Sequence, residues 1–359
     1  MADLMTAVTN YKLLEARYGN FMVPALKIKV GGADVVKTMN LIVEEIVITL
    51  SLTQAGSAVI RLAGLYDEKS HSFQSAAKTK FKLGTVVEVE IGYLSSTQKV
   101  FKGYVAMLGF EFGEHPLLVV TLMDARRLMM SSGKKHKLYN VKNYSDAVKT
   151  VLGDYSRLCT PAVDATADSL TEPVSQTTSD YDFISKELIA SGRTDREFFV
   201  LADKVYFRKP QKVTAPVLSV KYGRELQDLK VDFSYLDLKV EAVGYNPAEQ
   251  TAVKGEAQAK GVMSQSKIQG QTPVFTVTAP DADSREKAKV RAEAIARMRR
   301  DKSCTGSGST LGLPEIVPGR FLKVEALEKM ADQSYYITEV VHTMSGESFL
   351  TYFEIGGVK

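Results

Sequence analysis

Val87, Val89 and Ile91 alternate with Glu88 and Glu90, so one side of this run is apolar and the other charged, the pattern of a half-buried strand. Runs rich in β-branched residues occupy 26–30, 40–52, 57–63, 100–112 and 117–123, with Gly113, Glu114, His115 and Pro116 supplying a turn. Short strands between turn signals predict a first β-barrel over 21–130. Ahead of it, Leu4, Ala7, Tyr11, Leu14 and Tyr18 recur every three or four residues, the spacing of one helical face. This predicts an N-terminal arm over 1–20, which fits a helix docked on its own domain as well as a partner-binding arm.

Beyond Ser131, Ser132, Gly133, Lys134 and Lys135 the period changes. Ser145 can cap a helix carrying Val148, Val151 and Leu152, closed by Gly153. A second helix begins at Ser179 or Asp180, buries Phe183, Ile184, Leu188 and Ile189, and stops at Gly192. Residues 197–207 read as a hairpin turning at Ala202, Asp203 and Lys204. A small α+β domain is therefore expected over 131–212.

Strand patterning returns at 217–222 and 229–245, and again in the ending at 319–327, 334–342 and 349–355. These runs predict a second β-barrel over 213–359. Residues 248–270 are rich in Ala, Gln, Lys and Gly and read as a solvated or partner-ordered connection. A helix over 284–302 follows, with Asp283 and Glu286 placed as a capping box and Arg297, Arg299, Arg300 and Lys302 gathered at its C-terminal end, where the helix dipole favours cations. The Gly-Ser-rich stretch 305–312 reads as a flexible turn, so 246–312 is expected to be a helical insertion. The expected fold class is mainly β with α+β parts: two tube-like β-barrels, a small α+β domain between them and an insertion in the second barrel.

At 359 residues the chain exceeds one ordinary domain. A net charge of +4 over this length is weak, so neither specific nucleic-acid binding nor attraction to anionic membranes is expected. Cys159 and Cys304 stand far apart with no C-x-x-C spacing, which fits reduced thiols. No basic segment leads into an apolar run and no stretch of about 18 apolar residues occurs. Synthesis in the cytoplasm, without a signal peptide or membrane span, is the expectation.

Candidate chemistry is sparse. His71, His115, His136 and His342 are scattered without paired spacing, so no metal site is expected. Gly306, Gly308 and Gly312 suggest a phosphate cradle, but the P-loop lysine is missing and the stretch follows a helix. No G-x-S-x-G elbow is present. Asp180 with Asp182, or Glu44 with Glu45, could serve as the acid and base of a glycan hydrolase, although acidic residues also suit a helix start. Neither a catalytic residue nor a cofactor is expected.

Helix 285–302 holds eight basic and three acidic residues. Ala288, Ala292, Ile295 and Ala296 share one face, so the helix is expected to dock, while Arg297, Arg299 and Arg300 are candidates for meeting an acidic neighbouring protein. In the ending, Tyr335, Tyr336, Tyr352, Phe349 and Phe353 are dense. A barrel buries one face of each strand, which makes Tyr335, Tyr336 and Tyr352 candidate interface residues.

Three stretches resemble the phage late control gene D family, the hub proteins of contractile tails, and the N-terminal half of valine-glycine repeat spike proteins. They are Ser179-Asp180-Tyr181-Asp182-Phe183-Ile184 with the 198–207 hairpin; Ala294-Ile295-Ala296-Arg297-Met298-Arg299-Arg300 with its glycine-rich loop; and Pro314-Glu315-Ile316-Val317-Pro318-Gly319-Arg320 followed by Tyr335-Tyr336-Ile337-Thr338-Glu339-Val340-Val341-His342. The resemblance implies a homotrimeric structural hub of a phage tail, R-type bacteriocin or related contractile injection system. It also implies a ring that adapts a threefold spike to a sixfold tail tube and nucleates the tube. Expected partners are the spike protein, a tail tube or tube-initiator protein, other baseplate proteins and a tape measure protein, in a particle assembled at the baseplate centre. Alternatives are a tail-associated cell-wall hydrolase and a glycan- or nucleic-acid-binding module.

Overall fold

The computed structural model describes residues 3–264, 266, 268, 270–346 and 348–359. Met1 and Ala2 of the expected arm, Gln265, Lys267 and Gln269 of the expected connection and Glu347 of the last turn lie outside them.

The alternation at 87–91 forms the expected strand: Val86–Tyr93 buries Val87, Val89 and Ile91. It pairs antiparallel with Pro24–Val30 on one side and with the long strand Ser96–Glu111 on the other. Ser96–Glu111 continues to Leu117–Met123, Ser57–Ala63 and Ile42–Ser51. At the other end of the chain, Ser334–Ser345 and Ser348–Val358 form a hairpin.

These strands do not make two closed barrels. Val340 lies opposite Leu50, His342 opposite Ile48 and Met344 opposite Ile46, so the C-terminal hairpin is bonded along the first set of strands. The result is one 13-stranded sheet, and no sheet among the described residues closes on itself. Each half would otherwise end in a row of unpaired N–H and C=O groups, and pairing the two edges satisfies both. Ile46, Ile48, Leu50, Val340 and Phe353 accordingly share one core.

Between the halves, the helices Ala125–Met130 and Tyr144–Gly153, a helical run from Asp180 to Ala190 and a three-stranded sheet surround a second core containing Met129, Val148, Leu152, Phe183 and Phe207. Asn143, not Ser145, caps Tyr144–Gly153: its Oδ1 accepts from the Asp146 N–H at 3.0 Å, while the Ser145 hydroxyl donates to that same oxygen. Ser179 caps the next helix through the Asp182 N–H, and Gly192 closes it with φ +78°. The hairpin turns at Ala202, whose φ is +51°.

The run 229–245 breaks after Phe233. Leu226–Phe233 joins the main sheet, whereas Asp237–Asn246 pairs with Thr251–Lys260 and Val274–Thr278 in a sheet of its own. Helix Arg285–Asp301 lies across it over an alanine-rich core of Ala242, Ala259, Ala288, Ala292 and Ala296. The approach is backbone to backbone: a Cβ on Gly255 would sit 2.1 Å from the Lys289 nitrogen. Much of the expected connection 248–270 is therefore strand, and its polarity reflects cross-strand pairs such as Lys239 with Glu256 at 2.6 Å. Ser284 caps the helix through the Lys287 N–H, while Asp283 takes the Lys287 ammonium at 2.7 Å.

The Gly-Ser stretch is not a flexible turn. Cys304–Leu311 is an interior strand of the main sheet, between Leu226–Phe233 and Ser348–Val358. A Cβ at Gly306 would lie 2.2 Å from the Lys230 carbonyl and one at Gly308 2.6 Å from the Phe353 ring, so its glycines permit close packing. Among the described residues, no helix is long and apolar enough to cross a membrane.

Candidate functional site

The segment from Leu313 to Arg320 is buried throughout. Its last residue, Arg320, is fully enclosed, and its guanidinium donates to the carbonyls of Leu4 at 2.7 Å and Ala7 at 2.8 Å. Burial, reinforced by the nearby Arg208 charge, pulls Arg320 down to about 10. A buried cation held by carbonyls is stable only while those acceptors stay in place, so Arg320 fixes the arm on its own chain. Helix Tyr11–Arg17 follows, capped by Asn10, and the Tyr18 hydroxyl donates to Glu315 at 2.7 Å. Desolvation pushes the Glu315 carboxyl up despite that bond.

Gly319, with φ +81°, turns its carbonyl to Arg208, which donates at 2.6 Å. Arg208 also donates to Glu197 at 2.7 Å, and the Tyr336 hydroxyl donates to the other Glu197 oxygen at 2.6 Å. Burial raises Glu197, while Arg208 and Tyr336 oppose the shift. Residues 197 and 208 belong to the middle unit, 319 and 336 to the C-terminal strands. This chain of bonds therefore locks the two together.

The structure divides the six candidate interface residues. Tyr335 is enclosed and donates to the Ala331 carbonyl at 2.8 Å, and Tyr336 belongs to the lock just described. Arg297 donates to Asp195 and Asp301, each at 2.8 Å, and Arg299 stacks over the Phe275 ring at 3.6 Å. Only Tyr352 and Arg300 stand exposed. Tyr352 borders a shallow groove of about 180 Å³ with Asp228, Val341, Glu339 and Glu354. Desolvation, helped by the Glu354 charge, pushes the Glu339 carboxyl up.

Three of the four carboxylates considered for hydrolysis have structural partners, and the fourth, Glu44, is exposed. Asp180 is buried and accepts from Lys135 at 2.6 Å, Tyr155 at 2.6 Å and Gln176 at 2.8 Å. Burial would raise it, but these bonds outweigh burial and hold it below the usual carboxylate range. Asp182 pairs with Lys186, and Glu45 with Arg61. Among the described residues, no cluster of His, Cys, Asp and Glu is arranged to hold a metal ion.

Arg320, Arg208, Glu197 and Glu315 escaped sequence reasoning. The available signal was a charged residue within the apolar run Ile316-Val317-Pro318-Gly319-Arg320-Phe321-Leu322, where an arginine must find acceptors from elsewhere in the chain.

A family model described as the Alg8 N-terminal domain matches residues 21–346. The chain belongs to this family. No curated protein matches its sequence. Among solved structures, the family member resembles the tail protein from Neisseria meningitidis MC58, at TM-score 0.67 and 12% identity, over 94% of this chain and 97% of that one. It resembles equally the 43 kDa tail protein of prophage MuSo2 from Shewanella oneidensis, at TM-score 0.67 and 13% identity, over 92% and 98%. A third is the E. coli c3393 protein, described as a type VI secretion component with structural similarity to the T4 tail proteins gp27 and gp5; it matches at TM-score 0.57 and 11% identity, over 93% and 77%. Nearly the whole chain thus shares its fold with two proteins described as tail proteins.

Proposed function

We propose that this protein is a structural, non-enzymatic hub at the centre of a contractile injection apparatus. In this reading it is a homotrimer in which residues 21–130 and 213–359 are two tube-like halves. Three copies then offer six similar faces to a sixfold tail tube or tube initiator, while the threefold axis meets a spike protein. Other baseplate proteins and a tape measure protein are further partners, and Tyr352 and Arg300 are candidate contacts.

The observation that carries the proposal is the pairing of Ser334–Ser345 with Ile42–Ser51. A hub that presents two equivalent faces must hold its halves at a fixed angle under load. Seven register pairs from Glu339 opposite Ser51 to Ser345 opposite Glu45 do this through backbone hydrogen bonds, whatever the side chains. The fold shared with the tail proteins supports the same reading.

Mass photometry and negative-stain imaging of the purified chain test it. A particle of three times the monomer mass with a threefold ring, ordered further by the cognate tube or spike protein, is expected. A stable monomer unchanged by both proteins overturns the reading. Clearing of peptidoglycan by the chain alone, lost in Asp182→Asn or Glu44→Gln, would replace it with a hydrolase.

A further inference from the structure

At the free end of Ser96–Glu111, Phe110 is 46% and Phe112 69% exposed. The two rings extend an aromatic cluster, with Phe73 5.1 Å from Phe110 and Tyr66 5.7 Å from Phe112 between ring centroids. The adjoining loops are net acidic: Asp67, Glu68, Glu111 and Glu114 are exposed, against one exposed cation, Lys69, in the same stretch. Arg61 is shared between Glu45 at 2.6 Å and Glu111 at 3.5 Å, so it offsets part of this charge and leaves Asp67, Glu68 and Glu114 in excess over Lys69. Contiguous exposed aromatics inside a charged rim are the anatomy of a docking surface, and the sign of the rim selects a basic, partly apolar partner.

The same chain carries a surface of that character. Glu111 lies opposite Leu117 in the ladder, and Leu117–Met123 runs from there to its far end. It continues into helix Ala125–Met130 and the segment Lys134-Lys135-His136-Lys137-Leu138. Leu138 is 69% exposed and Leu128 is also exposed. Arg127, Lys134 and Lys137 form no ion pair with any described residue, whereas Lys135 is committed to buried Asp180. The two surfaces sit at opposite ends of a seven-residue strand, roughly 20 Å long, so one copy cannot join them. Head-to-tail contact between copies can, and such a contact closes into a ring when its rotation closes.

We propose that the acidic aromatic patch around Phe110 and Phe112 docks on the basic Lys134, Lys137 and Leu138 surface of a second copy of this chain. The proposal rests on the hub reading above and names the contact between its subunits.

The test uses the full-length chain, with oligomer mass followed by mass photometry from low to high salt. The double variants Glu111→Lys/Glu114→Lys and Lys134→Glu/Lys137→Glu should each weaken assembly at least 10-fold in Kd, and the chain carrying all four changes should regain most of it. Phe112→Ser should weaken assembly with no change in charge, and salt should weaken the wild type. A ring indifferent to both double variants, or one that the fourfold variant fails to restore, overturns this contact and leaves the hub reading standing. A chain that stays monomeric overturns the contact, and the hub reading with it if tube and spike proteins also leave it unchanged. Protection of Phe110 and Phe112 only after a tube or spike protein is added assigns the patch to that component instead. Where a reversal variant fails to fold, an oligomer insensitive to both salt and Phe112→Ser overturns the proposal.

Discussion

The guanidinium of Arg320 donates to the carbonyl of Leu4 across 316 positions of sequence, at 2.7 Å and out of contact with water. One residue of the final strand-rich region thereby holds the beginning of the chain. The acceptors are backbone carbonyls, so the arm needs the right path more than the right side chains.

Arg320→Met should release the arm. The buried Leu4 carbonyl and the half-buried Ala7 carbonyl lose a donor, a cost of about 1–3 kcal/mol for the buried one, partly offset because a buried charge is removed. Amide exchange over the segment from Thr6 to Tyr18 should rise toward the rate of free peptide, and limited proteolysis should cut there first. Unchanged protection would show that the Tyr18–Glu315 bond suffices.

Tyr336→Phe and Tyr352→Ser separate two residues that look alike in sequence. The first removes a hydroxyl that donates to enclosed Glu197 and should cost about 1.5–3 kcal/mol in denaturant unfolding. The second removes an exposed ring and should change stability by no more than about 0.5 kcal/mol. Equal effects would contradict the burial assigned to these rings.

His342 should give the fold an acid limb. It is buried in the strand that joins the halves, with Nδ1 2.9 Å from the Thr351 hydroxyl, and burial pulls it from 6.5 down to about 3. Its folded-state value is lowered, so the unfolded chain binds the extra proton first. Its contribution is complete above pH 6.5 and is lost as pH falls toward 3, by up to about 1.4 kcal/mol per unit. His342→Gln should be less stable than wild type at pH 7, and the difference should shrink through pH 5 and 4 in thermal melts. A constant difference would show that His342 does not titrate in this window.

Gly255→Val should lift helix Arg285–Asp301 from its sheet, because the new Cβ would meet the Lys289 nitrogen at 2.1 Å. Overpacking of this kind costs about 1–3 kcal/mol. Faster exchange should be confined to the unit built from Asp237–Asn246, Thr251–Lys260 and that helix, leaving Val86–Tyr93 protected. Wild-type exchange in the helix would contradict the contact.

The candidate site was legible only in fragments. Tyr336 stands out for its aromatic density and Arg297 for its place in a basic run, and both are held by partners distant in sequence: Glu197 for the first, Asp195 for the second. Exposure depends on those partners, and no local period reports them. Asp180 shows the same limit, since a helix-start carboxylate and a buried acceptor of three donors have the same sequence.

By itself the sequence determined the local elements: the alternation at 87–91, the hairpin at Ala202, the stop at Gly192 and the docked alanine face of helix Arg285–Asp301. Each is set by interactions within a few residues, such as side-chain period, capping and the permissive backbone of glycine. Only the tertiary structure decided that the expected barrels are one open sheet, that the run 229–245 divides between two sheets, and that the Gly-Ser stretch Cys304–Leu311 is an interior strand. A strand's pattern records which of its faces is apolar. Which edge it pairs with depends on a partner such as Ile42–Ser51 for Ser334–Ser345, nearly 300 positions away, and backbone hydrogen bonds place few demands on the side chains that could have announced it.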